Sequence, residues 1–197
     1  MPLVVKKCFH SHLLTNGWHS WRYERVLTLE LEKMPIKKND FGDPYYRSAV
    51  GMMMLNAENK IFIGQRTDSR DPAWQMPQGG IGPHEDTDQA MLRELEEEIG
   101  TKNVEIIVKS KTWYKYDLPL DLAERLWSGK YKGQKQIWYV LRYRGKDEDI
   151  NINTYHPEFC SWRWAEKEEL LELIVPFKKE LYQKIFDDLW PYIEKAV

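Results

Sequence analysis

The chain has little cysteine. Cys8 and Cys160 are the only two among 197 residues, and they make neither a metal-ligand spacing nor a disulfide framework. Ordinary reduced thiols in a reducing compartment are the expectation. No run approaches the roughly 18 apolar residues that a membrane span needs. Charge of one sign is also missing: 29 Lys and Arg against 31 Asp and Glu give a net −2, so the chain is no general polyanion binder. Any nucleic-acid contact must come from a local basic groove. Internal repeats and low-complexity stretches are absent, which excludes solenoids and tails. Present instead are 42% hydrophobic and 13% aromatic residues, enough for one globular domain with a core of its own.

Residues 1–33 differ from the rest. Lys6, Lys7 and Arg22 precede the first acidic residue, Glu24. The apolar runs there are too short for a secretory signal, and an organelle transit peptide is the alternative to a plain upstream extension. We expect the extension, with Met34 as the natural start, so that residues 1–40 are dispensable and residues 41–197 form the catalytic domain. Cytoplasmic location follows as an expectation.

From residue 45 the pattern is mixed α/β. Strands are expected over 49–55 and 60–65 around a hairpin turn, over 104–111, over 136–143 and over 160–164. The run Ile137-Trp138-Tyr139-Val140-Leu141 is nearly continuous apolar, so that strand should be central. The spacing predicts a loop over 67–73, a short helix over 118–127 and a charged turn over 145–151. After Pro176, Phe177, Leu181, Ile185, Leu189 and Ile193 recur every four residues, the stripe of a long helix facing a core. Sheet and helices interleave without a regular βα repeat, so the fold class is α/β in the broad sense, α+β rather than doubly wound.

The chemistry concentrates in one stretch. Gly79-Gly80-Ile81-Gly82-Pro83-His84-Glu85 is followed, after seven residues, by Arg93-Glu94-Leu95-Glu96-Glu97-Glu98-Ile99-Gly100. Asp86, Thr87 and Asp88 are capping residues, and Gly100 is a helix stop, so a helix is predicted over 86–100. Glu94, Glu97 and Glu98 stand at i, i+3 and i+4, which share a helix face. Three like charges there repel one another. A hard divalent cation removes that repulsion, and Mg²⁺ keeps waters that phosphates can displace. The expected chemistry is metal-assisted attack of water on a phosphate chain. A Glu-rich surface helix explains three glutamates but not Gly79, Glu85 and Gly100 at their offsets. Seven fixed positions, each matched by chance about once in fifteen to twenty trials, point to a motif.

That motif resembles the Nudix box. The resemblance implies a mixed sheet sandwiched between helices, a Mg²⁺ (or Mn²⁺) cofactor and hydrolysis of a nucleoside diphosphate linked to another moiety. It implies Glu94, Glu97, Glu98 and Gly79 at the metal, catalytic work for Glu98 and Glu94, and support of the box by Glu85 and Arg93. One departure is Thr101, where the family has an aliphatic residue.

Further segments are similar to one branch, the bacterial RNA 5′-pyrophosphohydrolases, also described as diadenosine polyphosphate hydrolases. They are Tyr46-Arg47-x-x-Val50-Gly51, Trp74-Gln75-Met76-Pro77-Gln78-Gly79-Gly80-Ile81, Trp113-Tyr114-Lys115-Tyr116-Asp117-Leu118-Pro119, Gly133-Gln134-Lys135-Gln136-x-Trp138, Pro157-Glu158-Phe159-x-x-Trp162-Arg163-Trp164 and Phe177-Lys178. They run from about residue 45 to 190. The branch usually has Asn-Pro-Gly-Glu where this chain has Gly82-Pro83-His84-Glu85. The similarity implies that Glu158 faces the metals as a base. It implies 5′-triphosphorylated RNA or a dinucleoside polyphosphate as substrate, without membrane association or DNA sequence recognition. Arg66 could hold phosphates or simply pair with Asp68 or Asp71. Lys135 and Lys178 are phosphate or base contacts, or solvated lysines. Arg47 and Phe177 suit base stacking, although Phe177 also begins the apolar stripe. The alternatives are hydrolysis of another nucleoside-diphosphate-linked small molecule, and a Nudix-fold module that binds without catalysis. Loss of one of the three glutamates would mark the latter, and all three are present.

Overall fold

A computed structural model of the chain describes residues 43–68 and 73–195. The expectations for residues 1–40, and the pairing of Arg66 with Asp71, lie outside them.

The two hydrophobic strands at the centre organise the rest. β1 (Tyr46–Leu55) and β7 (Gly133–Tyr143) run parallel, with Tyr46 opposite Gly133 and Leu55 opposite Arg142. Both are buried for nearly their whole length, as parallel strands covered on two faces must be. β2 (Ile61–Arg66) returns from β1 through the expected hairpin and carries β3 (Trp74–Gln75) and β8 (Phe159–Ala165). β5 (Val104–Lys109) and β6 (Tyr114–Asp117) lie antiparallel on β7. The glycine segment is not wholly loop: Gln78–Gly80 forms β4, paired with Ala49, Val50 and Gly51 of β1.

Strand alternation sends side chains to two cores. On one face Met53, Trp138 and Val140 meet Tyr182, Ile185 and Leu189 of α4 (Lys179–Glu194), the predicted stripe. On the other, Met52, Met54, Ile137 and Tyr139 meet Met91, Leu95 and Ile99 of α1 (Thr87–Ile99). The sheet is thus sandwiched between helices, as expected. α2 (Leu120–Arg125) buries no residue, and α3 (Lys167–Leu173), unforeseen in the sequence, buries Leu170.

Candidate active site

Local chemistry fixes the helix that carries the box. Asp86 accepts from the backbone N–H groups of Asp88 and Gln89, and the Gln89 side chain returns the bond to the Asp86 N–H, a reciprocal cap. Gly100 ends the helix with φ 72°, in the left-handed region that glycine enters without strain. One helical face packs on the sheet through Ala90, Met91, Leu95 and Ile99. The carboxylates turn toward β4.

Gly79 is required there by space. A Cβ at this position would lie 1.8 Å from the Glu94 carboxyl carbon. Glu98 is 4% exposed and accepts from the Gln78 backbone N–H at 3.2 Å. Burial drives its carboxyl well above the ordinary range, and the neighbouring charges of Glu94 and Glu158 push the same way. Burial also raises Glu94, against the opposing pull of Arg93. Two desolvated carboxylates side by side form an electrostatic deficit that a cation would cancel, and oxygen donors suit a hard one. The desolvated carboxylates of Glu94 and Glu98 therefore fit a divalent metal. Among the described residues no three acidic, His or Cys side chains already converge on one point.

Arg93 makes five hydrogen bonds. It reaches Glu85 at 3.0 and 2.6 Å, Glu94 at 2.8 Å, Glu97 at 2.8 Å and the Gly80 carbonyl at 2.8 Å. Glu85, bonded to Arg93, has its carboxyl held below the usual range by that guanidinium, and it also accepts from the Gly82 N–H. The fork thus joins the loop to the helix and restrains two of the three glutamates. Glu97 is 58% exposed and turned to Arg93 rather than into the cleft.

Beside β4 lies a cleft of about 430 Å³. Glu94, Glu98 and Glu158 line it, with Arg47, Arg66 and Lys178. Arg66 pairs with Asp68 at 2.6 Å and with Glu158 at 3.5 Å, so the salt-bridge reading of this arginine and its place in the cleft hold together. The Arg47 guanidinium lies against Gly80 and 5.2 Å from the Trp127 ring. Phe177 lines the cleft while packing on Tyr116, with ring centres 6.1 Å apart, so it serves core and cleft at once. Lys178 is 5% exposed and not a solvated lysine. Its ammonium donates to the side-chain oxygens of Gln75 and Gln78, both at 3.1 Å. Burial and the adjacent Arg66 charge bring its pKa down to about 7.

Lys135 lies apart from these. Strand alternation puts Gln134 and Gln136 on the cleft face and turns Lys135 to the other, 5.6 Å from the Trp113 ring and 3.4 Å from the Asp43 carbonyl. The solvated reading fails too, since Lys135 is 2% exposed. Sequence reasoning passed over Gln75, Gln78, Gln134, Tyr116 and Trp127 as site residues, and all line the cleft. A signal existed for one of them: glutamines alternating at 134 and 136 at the head of an apolar strand. His84 stands exposed in a neighbouring shallow depression with Arg93 and Glu94.

The NUDIX domain model matches residues 45–185. The chain belongs to the Nudix family. Among similar Nudix proteins, the RNA pyrophosphohydrolase of Rickettsia bellii (strain OSU 85-389) is 53% identical over 149 residues, covering 76% of this chain and 92% of its own length. That of Rickettsia typhi (strain ATCC VR-144 / Wilmington) is 48% identical over 161 residues, covering 82% of this chain and its own full length. Among solved structures, E. coli dihydroneopterin triphosphate pyrophosphohydrolase aligns with a TM-score of 0.56 at 15% identity, covering 73% of this chain and 98% of its own. The C. elegans Ap4A hydrolase binary complex aligns with a TM-score of 0.52 at 20% identity, covering 74% and 98%. These structures share the Nudix fold with this chain. No helix among the described residues is long and apolar enough to cross a membrane.

Proposed function

We propose that this Nudix protein is a Mg²⁺- or Mn²⁺-dependent pyrophosphohydrolase that removes pyrophosphate from 5′-triphosphorylated RNA ends, with dinucleoside polyphosphates as further substrates, in the cytoplasm. One observation carries the reading. Desolvated Glu94 and Glu98 share a single cleft with Arg47, Arg66 and Lys178, so acid for a cation and base for a phosphate chain face one space. The relatives' name, at 48–53% identity over nearly their full lengths, supports RNA as the principal substrate.

Placement supports the following roles. A divalent cation, when bound, would neutralise the carboxylates and polarise a phosphoryl oxygen. Arg66 and Lys178 hold phosphate oxygens, Arg66 through its fork and Lys178 as a point charge. Arg47 and Phe177 face the nucleoside. Of Glu94, Glu98 and Glu158, Glu158 alone is neither desolvated nor bound to Arg93, so we assign it to take the proton of the attacking water, a role worth roughly 10²–10⁴-fold in rate. Arg93 and Glu85 hold the box in shape. The chain from Met34 onward suffices for these roles.

The test compares kcat/KM on triphosphorylated RNA, diphosphorylated RNA and diadenosine tetraphosphate, with and without chelator. Metal-dependent release of pyrophosphate from RNA is expected. Full activity in excess chelator, or turnover of none of the three, would overturn the reading.

A further inference from the structure

Behind the cleft, four glutamines and a lysine form one hydrogen-bond relay whose direction is fixed at both ends. At one end the Trp138 indole N–H, fully buried, donates to Gln136 Oε1 at 3.0 Å. An indole nitrogen can only donate, so Gln136 must turn its oxygen to Trp138 and its nitrogen outward. That nitrogen donates to Gln134 Oε1 at 2.9 Å and to Gln78 Oε1 at 3.3 Å. At the other end Lys178, whose ammonium also can only donate, bonds the oxygens of Gln78 and Gln75. The amides of Gln75, Gln78 and Gln134 are therefore not free to flip. All three turn their carbonyls into the protein.

Two donors occupy the two lone pairs of the Gln78 oxygen. Gln75, Gln78, Gln134 and Tyr116 all line the cleft, whereas Gln136 has no exposed surface and does not. The consequence is that the amides of Gln75, Gln78 and Gln134, with their oxygens engaged, have hydrogens rather than lone pairs left to offer the cleft. Such a set of donors complements oxygens that carry lone pairs and no proton, which ionised phosphates supply and sugar hydroxyls do not.

We infer that Gln136 is a positioning residue: without touching substrate, it fixes the amide of Gln134, together with that of Gln78, in the donor-outward sense that an anionic phosphate chain requires. The inference deepens the proposed function and rests on it only for the identity of the phosphate-bearing substrate.

Gln136→Glu tests it, with inorganic tripolyphosphate as probe. A carboxylate at 136 still accepts from Trp138 but has nothing to donate to Gln134, which must turn its nitrogen inward and present its carbonyl to the cleft. Kd for tripolyphosphate and KM for triphosphorylated RNA should rise roughly tenfold or more, the worth of a hydrogen bond to a charged group, while kcat changes little. Gln134→Leu added to Gln136→Glu removes the reversed carbonyl, though not the lost donor, and should recover part of the affinity. Unchanged affinity in a folded Gln136→Glu protein would overturn the inference. So would a joint fall of kcat, affinity and Tm that Gln134→Leu does not relieve, because that pattern marks a structural role. Should Gln136→Glu fail to fold, Gln136→Met and the side-chain amide ¹H–¹⁵N signals of the unaltered protein decide. Tripolyphosphate must shift the Gln134 amide signals, and Gln136→Met must weaken binding. Absence of either effect overturns the inference. A protein that binds tripolyphosphate through Gln134 yet hydrolyses no phosphoanhydride would instead refute the proposed function and leave the relay standing.

Discussion

Replacing Arg93 by lysine separates holding the box together from carrying charge. The ammonium of lysine has three hydrogens, against five bonds made by the guanidinium to Glu85, Glu94, Glu97 and the Gly80 carbonyl. At least two must be lost. Hydrogen bonds to charged groups contribute about 1.5–3 kcal/mol each. The Arg93 side chain is 35% exposed, so solvent screening reduces the combined loss to about 2–3 kcal/mol. A domain of this size loses about 2–4 °C of Tm per kcal/mol, which gives a fall of roughly 5–10 °C in a metal-free thermal melt. The freed Glu94 and Glu97 should also bind the cation less well, so the Mg²⁺ concentration for half-maximal activity should rise roughly 10–100-fold, as for other groups that orient metal ligands. An unchanged Tm would refute the role of the fork. A lowered Tm with unchanged Mg²⁺ response would show that it shapes the loop and not the ligands.

Glu98→Gln should move stability and activity in opposite directions. Its folded pKa lies above the unfolded one, so the charged carboxylate destabilises the metal-free protein above the ordinary carboxylate range; Tm should rise at pH 7–8, the gain should vanish below about pH 4, and kcat should fall by orders of magnitude. Lys178→Met should raise the metal-free Tm at pH 6 more than at pH 9: the folded pKa of about 7 lies below the unfolded 10.5, so the cost of burying the charge is full below pH 7 and fades as pH rises toward 10.5. An equal gain at both pH values would refute this placement of the lysine. Gly79→Ala should cost little Tm, because a flexible carboxylate can retreat, yet it should cut kcat/KM at least tenfold by displacing Glu94; full activity would refute the crowding argument. A chain begun at Met34 should match the full chain on triphosphorylated RNA, and a large loss would show that residues 1–33 contact the domain or the substrate.

The legible parts of the molecule are those set by near neighbours in sequence. Asp86 and Gly100 mark the ends of α1 because a cap and a left-handed stop are local chemistry. The five apolar residues from Ile137 announce a central strand, and the four-residue stripe announces α4. Local reasoning gathered the three glutamates on one face and could not see that a helix still spreads them. At 100° per residue, Glu97 lies well to one side of Glu94 and Glu98, near enough to Arg93 to be taken by it. The face on which Lys135 falls depends on the phase of β7, one residue in either direction. The burial of Lys178 rests on Gln75 and Gln78, about a hundred residues away, and no window on the sequence contains both. β6 had its signal in the alternation of Tyr114 and Tyr116, both buried, and was read only as a motif.

The parallel pairing of β1 with β7 also has a consequence for synthesis. Residues 46–55 have no long partner until residues 133–142 exist, and Lys178 reaches Gln78 only later. At about 5–20 residues per second, a ribosome that has finished the box helix needs several more seconds to supply the far wall of the cleft. During that interval the nascent chain carries its complete acidic motif with Arg47 and Arg66, but lacks Gln134, Glu158 and Lys178. A chain cut short before residue 178 would keep the box but lack Lys178 and the α4 face that covers one core, so the finished cleft waits until nearly the whole protein has been made.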